Sequence, residues 1–127
     1  MSDRVELEGR IRNAWLGRIS GCQLGKPVER FSMREGHDAL QAYLDRKGNL
    51  PLRDYIEFEE GMDLDRRCCK GHLVRSEPDD DINYSMLALL MLEEHGLALT
   101  TSDVARTWMR LLPVAQTYTA ERAAYKT

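Results

Sequence analysis

Three consecutive carboxylates, Asp79, Asp80 and Asp81, open an apolar run that extends from Ile82 to Leu92. At ~5 Å, two like charges repel by about 1 kcal/mol in water and about 3 kcal/mol at an effective dielectric constant near 20, so burial makes such a cluster harder to keep. A divalent cation turns that repulsion into ligation. Hard ions such as Mg²⁺ and Mn²⁺ take oxygen ligands, which makes Asp79, Asp80 and Asp81 candidate metal ligands. The structural alternative is helix capping. An N-cap Asp satisfies orphan backbone N–H groups, and each first-turn carboxylate gains roughly 0.3 to 1 kcal/mol from the helix dipole. That accounts for one Asp more readily than for three. Met86 to Leu92 reads MLALLML, apolar on every face. A helix of that kind belongs in a core, so the spacing predicts a buried helix with the triad at its mouth.

Two other groups of residues invite a chemical reading. Gly17, Gly21 and Gly25 recur every fourth position. Each glycine inside a helix costs about 1 kcal/mol relative to alanine, so the row predicts close approach by a partner helix or a ligand. Cys68-Cys69-Lys70-Gly71-His72 brings soft ligands together, but it lacks a C-x-x-C pair and a second ligand pair. Adjacent cysteines share a tetrahedral ion awkwardly, and small apolar fillers are the better reading.

The elements that must position these residues follow from periodicity. Leu7, Ile11, Trp15, Ile19 and Cys22 predict a helix from about Val5 to Leu24, with Gly25 as its C′ residue and Lys26-Pro27 beyond the stop. A short helix is expected over Glu35 to Lys47, with Leu40, Tyr43 and Leu44 on one side and Gly48 after its end. Asn49 to Glu77 reads as loop, with one strand around Tyr55-Ile56-Glu57-Phe58. The acidic helix is expected to run from Asp80 to His95 and end at Gly96. Thr100 to Asp103 supply the next N-cap, and Val104, Trp108, Leu111, Leu112 and Ala115 trace a face interrupted at Pro113. Thr117 to Lys126 begins a last helix. The fold class is all-α, a multi-helix orthogonal bundle.

Composition narrows the function classes. The chain has 127 residues, 43% of them apolar, and a formal charge of −3. This suits one domain with a modest core and gives no basic stripe for nucleic acid. No stretch is long and apolar enough to span a membrane, and the charged N-terminus is no signal sequence. Three cysteines, an odd number with one vicinal pair, fit a reducing compartment and a cytoplasmic location.

Two segments together resemble the ADP-ribosylglycohydrolase family, and the resemblance covers most of the chain. Gly17-Arg18-Ile19-Ser20-Gly21-Cys22-Gln23-Leu24-Gly25-Lys26-Pro27-Val28-Glu29 is similar to the family's first glycine-rich helix and its trailing glutamate. Pro78-Asp79-Asp80-Asp81-Ile82-Asn83-Tyr84 is similar to its acidic metal motif. The resemblance implies hydrolysis of the glycosidic bond that joins ADP-ribose to a protein side chain or related acceptor, with Mg²⁺ or Mn²⁺ as cofactor. The expected substrate is an ADP-ribosylated protein or a small ADP-ribosyl compound. It implies that Asp79, Asp80 and Asp81 hold the first metal, that Asp80 is catalytic, and that Glu29 faces the scissile bond. Asp79 stands where the family usually carries Thr or Ser, and Cys22 where many members carry Asp.

The family's second acidic motif has no counterpart here. After Asp103 the only carboxylate side chain is Glu121. The expectation is therefore an N-terminal portion of such a domain, with negligible hydrolase activity alone and some uncovered apolar surface that favours self-association. Two other readings stay open: a non-catalytic module that binds ADP-ribose or a partner, and a helical interaction domain whose aspartates only cap a helix.

Overall fold

A computed structural model describes residues Ser2 to Lys126, with side chains from Arg4 onward, and the described residues are all-α. They group into two compact units, Met1–Glu77 and Pro78–Thr127. No helix is long and apolar enough to cross a membrane among the described residues.

The first unit begins with α1 (Ser2–Gly25), close to the expected span. Gly25 does not end it as a left-handed C′ residue. Its φ of −79° and ψ of −36° carry the chain straight into a 3₁₀ turn, Lys26–Val28, and then into α2 (Glu29–Glu35). Pro27 is accommodated because the first positions of a helical turn have no need of its missing N–H. The first true stop is Gly36, at φ 87°, which lies between α2 and α3 (His37–Arg46). Gly48, at φ 66°, follows α3 where the sequence placed a terminator.

The core of this unit gathers Val28, Phe31, Tyr43, Ile56, Leu64 and Cys69. Phe31 meets Tyr43 edge to face at 6.1 Å, a geometry that the ring quadrupoles favour. The expected strand at Tyr55 to Phe58 does not form. Ile56 is buried, but its carbonyl is taken by the Lys70 N–H at 2.7 Å, and the Tyr43 hydroxyl donates to the Glu57 carbonyl. With those groups satisfied by a loop amide and a side chain, the segment has no partner strand to pair with. The rest of the long loop is pinned by a 3₁₀ turn at Arg66–Cys68 and by the Asp65 N–H on the Pro27 carbonyl at 3.1 Å. Arg30 and Arg34 on α2 both reach Asp63.

The second unit holds α4 (Asp80–His95), α5 (Thr101–Leu111) and α6 (Thr119–Ala124), with 3₁₀ turns at Gly96–Ala98 and Val114–Gln116. Gly96, at φ 59°, ends α4 as expected. Thr100 and Asp103 form a reciprocal capping box at the head of α5, which satisfies two orphan donors at once. Leu87, Met91 and Leu112 form the core, with Tyr84, Trp108 and Tyr125 packed against it. The Tyr125 hydroxyl reaches the carbonyls of Trp108 and Leu112, at 3.0 and 2.7 Å, and thereby ties α6 to the end of α5.

The all-round burial expected of the apolar run is not reached. Leu87 and Met91, four residues apart, are buried, whereas Met86, Leu89, Leu90 and Leu92 are exposed. Val5, Leu7 and Ile11 on α1 are likewise more than half exposed. Uncovered apolar surface is thus present on both units.

Candidate functional site

The approach to the three aspartates is fixed at Glu77. Gln23, near the end of α1, donates from Nε2 to the Glu77 carbonyl at 3.0 Å and accepts the Glu77 N–H on Oε1 at 2.9 Å. The side-chain amide thereby mimics a neighbouring strand, meeting both backbone groups of one buried residue. The Cys68 thiol lies 3.7 Å from the same Gln23 oxygen. Glu77's own carboxylate is buried but reached by two guanidiniums, Arg75 at 3.0 Å and Arg67 at 3.1 Å. Arg67 also holds the Asp65 carboxyl below its ordinary range. A buried carboxylate is tolerable only when it is paired in this way.

Two residues later the acidic segment begins. Asp79 is extended and is the N-cap of α4, its Oδ1 accepting the Asp81 N–H at 3.2 Å. Its carbonyl accepts the Asn83 N–H. Asp80 and Asp81 occupy the first turn, where the helix dipole favours them. Asp79 and Asp80 are partly buried and Asp81 is exposed. Capping is therefore a realised role of Asp79.

One turn down α4, the Tyr84 ring packs at 5.5 Å from Trp108. Its phenol oxygen is shut off from solvent and has no hydrogen-bond partner among the described residues. Burial pushes the phenol pKa up, and the charges of Glu121, Asp80 and Asp81 add to the rise in that order. Glu121 belongs to α6, just after Thr119, which holds a positive φ of 36°. That backbone is strained for a β-branched residue.

Glu29 opens α2 in the first unit, exposed, with its carbonyl accepting the Ser32 hydroxyl. The three aspartates belong to the second unit. The glycine row does not meet the close approach expected of it: a Cβ placed at Gly17, Gly21 or Gly25 would meet nothing within 4 Å. Gly21 instead borders an open groove of about 380 Å³ with Ser20, Leu24 and the Leu52 to Tyr55 loop. Cys68 and Cys69 are fully buried and free, and burial raises both thiols, Cys69 to about 11. Neither is poised as a thiolate. His72 stacks its ring edge on Phe58 at 5.8 Å. The pair are core fillers, as the spacing suggested.

Sequence reading missed Gln23, Glu77 and Tyr84. Gln23 carried a faint signal, a polar side chain next to the apolar positions Ile19 and Cys22. Glu77 and Tyr84 carried none, because their burial depends on contacts that no local pattern encodes. No model of a known family matches the chain, and no curated protein or solved structure matches it either.

Proposed function

We propose that this chain carries one carboxylate half of a divalent-metal site of the ADP-ribosylglycohydrolase type. Its function is metal-dependent hydrolysis of the glycosidic bond joining ADP-ribose to a protein side chain or related acceptor. The observation that supports this most directly is the head of α4, where Asp79, Asp80 and Asp81 crowd one helix terminus. The aspartates offer carboxylate oxygens, which suit Mg²⁺ or Mn²⁺. Asp79, Asp80 and Asp81 would hold the ion. When bound, such an ion acts as a Lewis acid toward ribose hydroxyls and water.

The chain's own groups supply the remaining roles. Cleavage at an anomeric carbon passes through an oxocarbenium-like state and needs a carboxylate to take a proton from water. Glu29, exposed at the head of α2, is our choice for that base. Gln23 and Glu77 hold the chain that leads into the aspartates. We read the chain as a helical bundle acting in the cytoplasm, in keeping with an odd number of cysteines that includes one vicinal pair.

A second reading is a binding module that grips ADP-ribose through the same ion without turnover. Calorimetry of ADP-ribose binding to the full chain in Mn²⁺ and in EDTA tests what both readings share. Binding that requires Mn²⁺ is the expected result, and binding indifferent to EDTA would contradict it. Release of ADP-ribose from a modified protein then separates hydrolase from binder.

A further inference from the structure

Every side chain from Arg4 to Ala14 is exposed, and none of them belongs to either hydrophobic core. These residues form about three turns of α1, the longest of the described helices. A helix in water draws most of its stability from the packing of an apolar face. α1 has such a face in Leu7, Ile11, Trp15 and Ile19, yet Leu7 is 53% exposed and Ile11 51%. The chain as a whole exposes 9309 Å². A single folded domain of its mass exposes about 6900 Å², and its two units folded separately expose about 8300 Å². The surplus over the larger figure, about 1000 Å², matches what one partner gives up in an interface of standard size, roughly 800 Å² a side.

We propose that α1 is a self-association surface, on which a second copy of the chain docks with its own α1 antiparallel. The pattern of the helix selects that occupant. Glu8, Ile11, Trp15 and Arg18 follow one another at intervals of three, four and three, which places them on one face. Two such faces laid antiparallel, with Asn13 level with Asn13, set Ile11 against Trp15 and Leu7 against Ile19. The same register sets Glu8 against Arg18. A two-fold axis repeats each pairing, so two apolar layers at the centre are closed at both ends by opposite charges. A parallel pair would instead set Glu8 beside Glu8 and Arg18 beside Arg18. The macrodipoles of the two helices also oppose one another only in the antiparallel arrangement. In the single chain Glu8 pairs with Arg4 at 3.0 Å, both side chains largely exposed. Such a pair holds little, and Glu8 exchanges it readily for a partner in a drier setting. The surface lies in the first unit and serves whether or not the aspartates of the second bind an ion.

Sedimentation equilibrium of the full chain tests this, since a single chain weighs 14.6 kDa and the dimer twice that. Wild type should pass from one mass to the other as its concentration rises. Ile11→Glu alters a position that the single chain leaves exposed, so the melting temperature of the dilute monomer should not move. Dimerisation should nevertheless weaken by about 30-fold or more, the effect of losing a central anchor. Glu8→Arg and Arg18→Glu should each weaken it too. An equimolar mixture of those two variants should form a mixed dimer as tight as wild type, because each chain then offers the charge that the other lacks. A wild type that stays monomeric to millimolar concentration overturns the proposal. So does a dimer that none of the three substitutions alters, which would assign the contact to another face, such as the exposed Leu89 and Leu90 of α4. Weakening by Ile11→Glu with no rescue in the mixture would overturn the antiparallel register.

Discussion

Glu77 and Tyr84 lie seven positions apart, and the surroundings of their polar atoms follow opposite rules. Around Glu77 every buried polar group is met: the backbone N–H and carbonyl by Gln23, the carboxylate by Arg67 and Arg75. Around Tyr84 a buried donor goes unused, and the charges of Glu121, Asp80 and Asp81 oppose its ionisation. A closed polar network stabilises a fold and is complete in itself. An open one leaves a polar atom unmatched, so charge alone could not tell the two apart. Glu77 carries as much formal charge as any one aspartate after it, yet its chemistry is finished.

The largest expected effect comes from breaking the closed network. Gln23→Ala removes both hydrogen bonds to Glu77 and leaves the Glu77 N–H and carbonyl buried without partners. Each such group costs about 1 to 3 kcal/mol. Denaturant melts of the full chain should therefore show a loss of several kcal/mol, or a first unit that no longer folds cooperatively. A loss under ~0.5 kcal/mol, the usual range for an unremarkable surface change, would mean that the clamp holds nothing.

A second contrast is sharpened by pH. Burial raises Tyr43 from an ordinary 10.0 to about 12. Below pH 10 the phenol is neutral in both folded and unfolded chains, and its contribution to stability is fully present. As pH rises from 10 towards 12, the unfolded chain ionises first and stability falls. Equilibrium unfolding across that window should show the decline. Tyr43→Phe, less stable at neutral pH for want of the hydrogen bond to Glu57, should show a shallower one. Equal slopes would place the ionisation elsewhere.

The smallest effect concerns the glycine row, and its sign has changed. Close approach would make any side chain at Gly21 destabilising, but a Cβ there meets open space and the backbone is helical. Gly21→Ala should stabilise α1 by about 0.5 to 1 kcal/mol through helix propensity and a less flexible unfolded chain. If the groove beside Gly21 accepts a ligand, the same change should weaken ligand binding while raising the melting temperature. A destabilised variant would restore the close-approach reading.

Most helices were legible because their signals are local. The Asp79 cap, the Thr100 and Asp103 box, and the stops at Gly48 and Gly96 each sit within four residues of the backbone groups they serve. The extra helix Glu29–Glu35 was not legible, because Pro27 reads as a terminator although the structure uses it to begin a turn. The strand at Tyr55 to Phe58 failed for a different reason. Alternating burial of Ile56 and Phe58 looks like a sheet edge, but the pattern says nothing about whether a partner strand exists. The apolar run in α4 overstated its burial because composition reports how much surface seeks cover, and neighbours decide how much finds it. At the candidate site the carboxylates were visible as a motif. Gln23, Glu77 and Tyr84 were not, since long-range hydrogen bonding, or its absence, is written in the fold alone.

The central claim is that the head of α4 holds a hard divalent cation. Isothermal titration of the full chain with Mn²⁺, for wild type and for Asp80→Asn combined with Asp81→Asn, tests it most directly. The account predicts saturable binding to wild type and none to the double variant. At an Mn²⁺ concentration 100 times Kd, wild type should also gain about 2.7 kcal/mol of stability that the variant lacks. Equal binding to both chains, or binding to neither, would contradict the claim and leave the three aspartates as a helix cap.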